Sequence, residues 1–209
     1  PEPYFDMFPP DQVPKPVAGP EALAAKNRQW RHQYGTIKHY HPEMDGIWEG
    51  SGIESYAMLR LLDDQLNRLI DAMQERGLLE NTVIVYLTDH GEFCGDYGLY
   101  RKGLGLPECS IRIPMFWFGG PIRGHDGYHP AHVSTCDVFP TICEAVGAEI
   151  PRGVQGRSLW PILLGEPYSE KEFSIVYVEE GIGGKVLGED DNIEFGAKAE
   201  TAYIDGVAR

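Results

Sequence analysis

Between Ser51 and Gly77 the apolar residues Leu59, Leu62, Leu66, Leu69 and Met73 recur every three or four positions, with Ile70 widening the stripe. That period predicts an amphipathic helix whose Asp63, Asp64, Asn67, Arg68 and Asp71 face water. Ser51 and Glu54 supply a capping box at its start, and Gly77 a C-terminal stop. The pattern then changes. Thr82-Val83-Ile84-Val85-Tyr86-Leu87-Thr88 is β-branched and apolar with little alternation, as expected of a strand covered on both faces in a parallel α/β sheet. It ends abruptly at Asp89-His90-Gly91-Glu92. Ile113 to Phe118 predicts a second buried strand, and His132 to Gly147 a loop running into a helix with Pro140 near its first turn. Ser174 to Glu179 and Ala202 to Ile204 read as further strands, separated by a Gly-, Asp- and Glu-rich surface loop from Gly181 to Gly196.

The opening is different in kind. Residues 1–20 contain seven prolines and predict an extended segment lying across another surface. Glu21 to Gln33 predicts a short helix, and His39 to Gly50 a loop. Helical and strand patterns in alternation place the chain in the α/β class.

Composition narrows the function. Of 209 residues, 18 are Lys or Arg and 32 are Asp or Glu, a formal net charge of −14. No basic run is dense enough to displace counterions from a phosphate backbone, so nucleic acid is not an expected partner. The longest apolar runs, Val83–Leu87 and Met115–Phe118, fall far short of the roughly 18 residues of a membrane span. Cys94, Cys109, Cys136 and Cys143 form no CxxC pair, and the seven-residue spacing of Cys136 and Cys143 predicts two thiols on one buried helix face.

Two places carry candidate chemistry. Asp89 and His90 end a buried strand, where ligands gather in open α/β sheets. A carboxylate oxygen and a neutral imidazole nitrogen are both donors to a divalent cation, although a structural Asp beside a solvated His fits the dipeptide as well. Lys102, in a Gly-flanked loop shortly after, can neutralise a tetrahedral anion as a point charge or simply be solvated. Neither the His125–His132 loop nor Glu189-Asp190-Asp191 has the ligand spacing of a zinc or calcium site.

Thr88-Asp89-His90-Gly91-Glu92-Phe93-Cys94-Gly95-Asp96-Tyr97-Gly98-Leu99-Tyr100-Arg101-Lys102-Gly103 resembles the second signature region of type I sulfatases, members of the alkaline-phosphatase-like superfamily. The resemblance continues upstream through Tyr56-Ala57-Met58 and Asn81-Thr82-Val83-Ile84, and downstream through Ser110-Ile111-Arg112-Ile113-Pro114-Met115, Asp137-Val138-Phe139-Pro140-Thr141-Ile142 and Gly156–Leu163, so that it covers about residues 50–165 in order. It implies part of a mixed sheet flanked by helices, with residues 1–20 as an extended lead-in, 21–165 as the C-terminal half of the α/β domain and 166–209 as the start of a smaller C-terminal region. It implies that Asp89 and His90 are the second ligand pair of a divalent cation, usually calcium, with manganese or magnesium as alternatives; many members have Asn where this chain has His90. Lys102 matches the lysine that contacts the sulfate oxygens. The implied substrate is a sulfate ester, either a small molecule or a sulfated glycan.

The departures matter as much. The family nucleophile is a formylglycine made from Cys in a C-x-P-x-R-type motif, and none of the four cysteines stands in one. The first Asp-Asp metal pair is also absent. The expectation is therefore an internal piece lacking an N-terminal half, inactive alone, with apolar surface exposed where that half would pack or an oligomer would form. Two alternatives stay open: a phosphonate monoester or phosphodiester hydrolase of the same superfamily, and a non-catalytic homologue acting as a binding module.

Overall fold

The structure, a computed structural model, describes residues 2–26, 28–42, 48–102, 105–123 and 127–178. The chain divides into two compact units, one of described residues up to Asp64 with His90–Arg112, the other of Gln65–Asp89 with Ile113–Val178.

In the first unit the proline-rich opening runs through short 3-10 turns at Phe5–Met7 and Pro10–Gln12 and a longer one at Pro20–Ala25. Helix α1 follows at Arg28–Tyr40. The short helix expected over Glu21–Gln33 is thus split in two, and His39 and Tyr40 belong to α1 rather than to a loop. The core is Leu23, Trp30, Phe93 and Leu99, with Tyr34, Ile37, Tyr97 and Cys109 packed around it. Two of these four come from the loop after His90, so that loop is part of the core and not a surface excursion.

Helix α2 spans Trp48–Glu75 and continues into the second unit. It begins upstream of Ser51, which therefore lies inside the helix rather than at its start. A four-residue motif signals a start only where the backbone upstream leaves the helix, and here it does not. Ile53 and Ala57 are buried, whereas Leu59, Leu62 and Leu69 of the apolar stripe are exposed. The charged face behaves as expected: Asp63, Asn67, Arg68 and Asp71 are exposed, and Arg60 pairs with Asp63 at 3.3 Å and Asp64 at 2.7 Å. No helix among the described residues is long and apolar enough to cross a membrane.

The second unit holds strands β1 (Ile84–Leu87) and β2 (Met115–Phe118), paired antiparallel with Ile84 opposite Phe118 and Leu87 opposite Met115. The expectation of parallel strands covered on both faces is corrected on both counts. Every β1 residue is only half-buried and Phe116 is exposed. A β-branched apolar run states that a strand exists but not the direction of its neighbour. Beyond β2 the chain turns back, with the Gly120 N–H donating to Leu79 O at 2.8 Å. Residues 174–178 are irregular with Ile175 and Tyr177 exposed, so the strand expected there does not form among the described residues; Glu179, the Gly181–Gly196 loop and Ala202–Ile204 lie outside them.

Helix α4 (Val138–Ala145) follows a 3-10 turn at Thr135–Asp137, and a short helix α5 covers Trp160–Leu164. Helix α3, introduced by the first unit, is the single turn Glu108–Ile111. Cys143 is buried in α4 but Cys136 is exposed, because it sits in the 3-10 turn where helical spacing does not hold. All four cysteines are free thiols.

Asp137, 2% exposed, is the hub of this unit. Its carboxylate accepts from the N–H of Ser134 at 2.9 Å and of Arg157 at 2.7 Å, and lies 3.6 Å from the Arg157 guanidinium. Thr141 Oγ1 donates to the Asp137 carbonyl and accepts from Leu159 N–H at 2.8 Å. Arg157 also stacks 4.5 Å above the buried Phe173 ring and donates to His132 O at 3.2 Å. One buried carboxylate therefore joins the Ser134 turn to the Arg157 segment. Asp137→Ala orphans two backbone donors and a guanidinium, and should cost about 3 kcal/mol, lowering Tm by roughly 10 °C in differential scanning calorimetry. Loss of less than about 2 °C would contradict the hub.

Candidate metal and anion site

β1 stops at Leu87, and Thr88 and Asp89 carry the chain off the strand end, with Asp89 exposed to solvent. The Thr88 hydroxyl oxygen is buried without a hydrogen-bond partner among the described residues. An orphaned hydroxyl directly before a carboxylate is what a polar group bound at this strand end would satisfy.

His90 opens the loop of the first unit and is half-buried. Its Nδ1 lies 2.7 Å from the Gly91 carbonyl oxygen. A carbonyl can only accept, so Nδ1 carries the proton and the basic lone pair stands on Nε2. This is the arrangement that turns an imidazole into an oriented metal ligand. Gly91 makes it possible. Its N–H donates to Ser110 O at 2.8 Å, and a Cβ at this position would strike the Cys109 carbonyl. The backbone can approach α3 this closely only without a side chain.

From Gly91 the chain folds back on itself. Phe93 N–H donates to Arg101 O at 3.2 Å and Gly95 N–H to Leu99 O at 2.9 Å, which returns the loop at Arg101 to the level of Phe93. Lys102 follows, exposed, three residues on from the anchoring Leu99. Arg101, also exposed, adopts the left-handed conformation at φ 61°. Asp89 thus follows the end of a strand in one unit, and in the other His90 starts the loop and Lys102 follows its return.

Among the described residues no group of three or more His, Cys, Asp or Glu gathers closely enough to hold a metal ion. Asp89 and His90 supply donor types that a divalent cation takes, a carboxylate oxygen and an imidazole nitrogen. The cysteines do not complete the chemistry. Burial pushes the Cys94 and Cys109 thiols up, keeping both protonated, and Cys94 Sγ sits 3.6 Å from Ser55 Oγ. Neither is an activated thiolate. What sequence reasoning missed is the packing behind the loop: Asp96 Oδ1 accepts from Val17 N–H at 2.7 Å, across 79 residues. The Gly95-Asp96-Tyr97-Gly98 run is a turn signal, but nothing in it names Val17 as the partner.

Comparison with known proteins decides the family. The family model described as Sulfatase matches residues 12–148. The chain belongs to the sulfatase family. An arylsulfatase of Clostridium perfringens is 25% identical over 215 residues, an alignment covering 97% of this chain and 43% of that protein. The multifunctional alkaline phosphatase superfamily protein PehA of Trinickia caryophylli is 30% identical, covering 90% of this chain and 41% of its own length. Among solved structures, a phosphonate monoester hydrolase from Silicibacter pomeroyi superposes with a TM-score of 0.66 at 29% identity, covering 81% of this chain and 35% of that one. The α/β fold is therefore that of the sulfatase-like, alkaline-phosphatase-like domain. This sulfatase-family chain spans 43% and 41% of the lengths of those two curated relatives.

Gly91→Ala forces a methyl group onto the α3 backbone and should cost about 1–3 kcal/mol. Its direct check is a chemical denaturation curve together with the His90 ring signals in NMR, which should lose the single Nδ1–H tautomer. An unchanged midpoint and tautomer would show that the close approach is not needed.

Proposed function

We propose that this chain carries half of the divalent-metal site and the anion-contacting lysine of a sulfuric ester hydrolase, and that it is inactive without the remaining ligands and the nucleophile. The observation that carries this reading is the contact that orients the His90 ring on the Gly91 carbonyl, in the same loop that carries Lys102. Membership of the sulfatase family supports it.

Each residue has a physical task. Asp89 offers an anionic oxygen, and His90 offers Nε2 while its Nδ1–H stays on the Gly91 carbonyl. Bound there, a calcium ion, or manganese or magnesium in its place, supplies Lewis-acid charge against the ester oxygens. Lys102 places an ammonium against the sulfate oxygens, where negative charge grows as the alcohol leaves. No cysteine of this chain stands in the motif that would make the formylglycine nucleophile, so attack on sulfur requires a residue from outside it. Two donors alone hold a divalent cation weakly.

A second reading, a phosphonate monoester hydrolase, is favoured by the structural likeness to the Silicibacter pomeroyi enzyme. Metal and lysine serve either anion equally. Two measurements test the proposal. With the complete gene product, turnover of 4-nitrophenyl sulfate should exceed that of an aryl phosphonate monoester, and Lys102→Ala should lower kcat/KM for the sulfate by about 100-fold or more; the reverse preference establishes the second reading. With this chain alone, calcium at about five times Kd should stabilise by about 1 kcal/mol, a thermal shift of a few degrees that Asp89→Ala or His90→Ala removes. A shift that survives both substitutions would refute the metal assignment.

A further inference from the structure

We propose that Asp96 is a positioning residue for Lys102, acting through a strap formed by Val17–Pro20; this rests on the reading of Lys102 as the anion-contacting lysine. The loop that delivers Lys102 is closed by its own main-chain bonds, Phe93 to Arg101 and Gly95 to Leu99, yet carries three strained residues. Cys94, Tyr97 and Arg101 lie at φ 48°, 61° and 61°, conformations that cost side-chain-bearing residues about 1–2 kcal/mol each. Further hold comes from the start of the chain. Asp96 Oδ1 accepts from Val17 N–H at 2.7 Å, and Tyr97 N–H donates to Ala18 O at 2.6 Å. These two bonds run in opposite senses between the loop tip and the strap, so they fix both translation and rotation. Gly98 then lies against Pro20 and Tyr34 with no room for a Cβ.

The aromatic packing adds a second point of hold. Trp30 of α1 meets Phe93 edge-on at 5.8 Å and Tyr97 at 5.0 Å, and Lys26 Nζ sits 5.2 Å and 4.9 Å from the Trp30 and Tyr97 rings. On the far side of Lys102, Gly105 packs against the same Trp30 indole. Tyr97 before Lys102 and Gly105 after it thus both pack on one side chain, with Asp96 setting the register of the Tyr97 contact. The bond from Val17 is charge-assisted, which makes it the stronger of the two strap bonds.

The sign of the effect separates positioning from charge. A carboxylate in the same loop as an anion-binding lysine repels sulfate, so deleting it should tighten sulfate binding if charge were its only role. If Asp96 positions Lys102, deletion weakens binding. The test uses the complete gene product, with inorganic sulfate as inhibitor of 4-nitrophenyl sulfate turnover. Asp96→Ala should raise both the sulfate inhibition constant and KM about tenfold, equivalent to about 1.4 kcal/mol. Asp96→Asn, whose amide oxygen still accepts from Val17, should stay within about threefold, and Asp96→Ala combined with Lys102→Ala should be no worse than Lys102→Ala alone, as coupled residues require. Val17→Pro deletes the same donor from the strap side and should reproduce Asp96→Ala, should that variant fold poorly. Unchanged or tighter sulfate binding in Asp96→Ala and Val17→Pro, or losses that multiply in the double variant, would overturn the proposal. If Lys102→Ala itself leaves sulfate affinity unchanged, the lysine assignment fails and the positioning role falls with it; a damaged Lys102→Ala beside an unaffected Asp96→Ala sinks the positioning role alone.

Discussion

The loop from His90 to Lys102 depends on the burial of two side chains at its root, Phe93 at 1% and Leu99 at 0% exposure. Full burial of such side chains contributes about 1.5–3 kcal/mol each. The three left-handed residues between and beside them, Cys94, Tyr97 and Arg101, cost together a similar amount at about 1–2 kcal/mol apiece. Hydrophobic anchoring and backbone strain nearly cancel. The loop's shape is then decided by the directional contacts that remain, which are its own main-chain bonds, the bonds that join Asp96 and Tyr97 to the strap, and the Trp30 stack. A loop balanced in this way can hold a lysine at its mouth without burying it.

The second unit solves a related problem by a different means. Its sheet among the described residues has two strands, too few to be stable on their own in water. Further hold comes from Asp137, whose carboxylate accepts from Ser134 and Arg157 and whose carbonyl accepts from Thr141, which in turn accepts from Leu159 N–H. The result is an anchored framework in the unit that also holds β1 and Asp89. In both units a partly or fully buried carboxylate accepts main-chain N–H groups from a segment remote in sequence, so acid residues here act as joints. The large negative charge of the chain is thus only partly a property of its solvated surface.

Much of this was legible from local pattern. The periodicity of Leu59 to Met73 located α2, the β-branched run located β1, and Gly147 ended the helix containing Pro140. The Thr88–Gly103 signature located the family, which the match over residues 12–148 establishes. What local pattern could not supply is partnership. Strand direction depends on β2, the exposure of Leu59, Leu62 and Leu69 depends on what packs against α2, and the exposure of Cys136 depends on a 3-10 turn that interrupts helical spacing. Asp96 was invisible for the same reason: its partner lies 79 residues away, and no short motif encodes that distance.

The central claim is that His90 is held as a metal ligand beside Asp89. Its most direct measurement is long-range proton–nitrogen NMR of the histidine rings during titration with paramagnetic manganese. The account predicts a His90 ring protonated on Nδ1 before metal is added, and its signals broadened at substoichiometric manganese ahead of those of His39 and His132. A His90 ring protonated on Nε2, or one whose signals broaden no sooner than the other histidines', would contradict it.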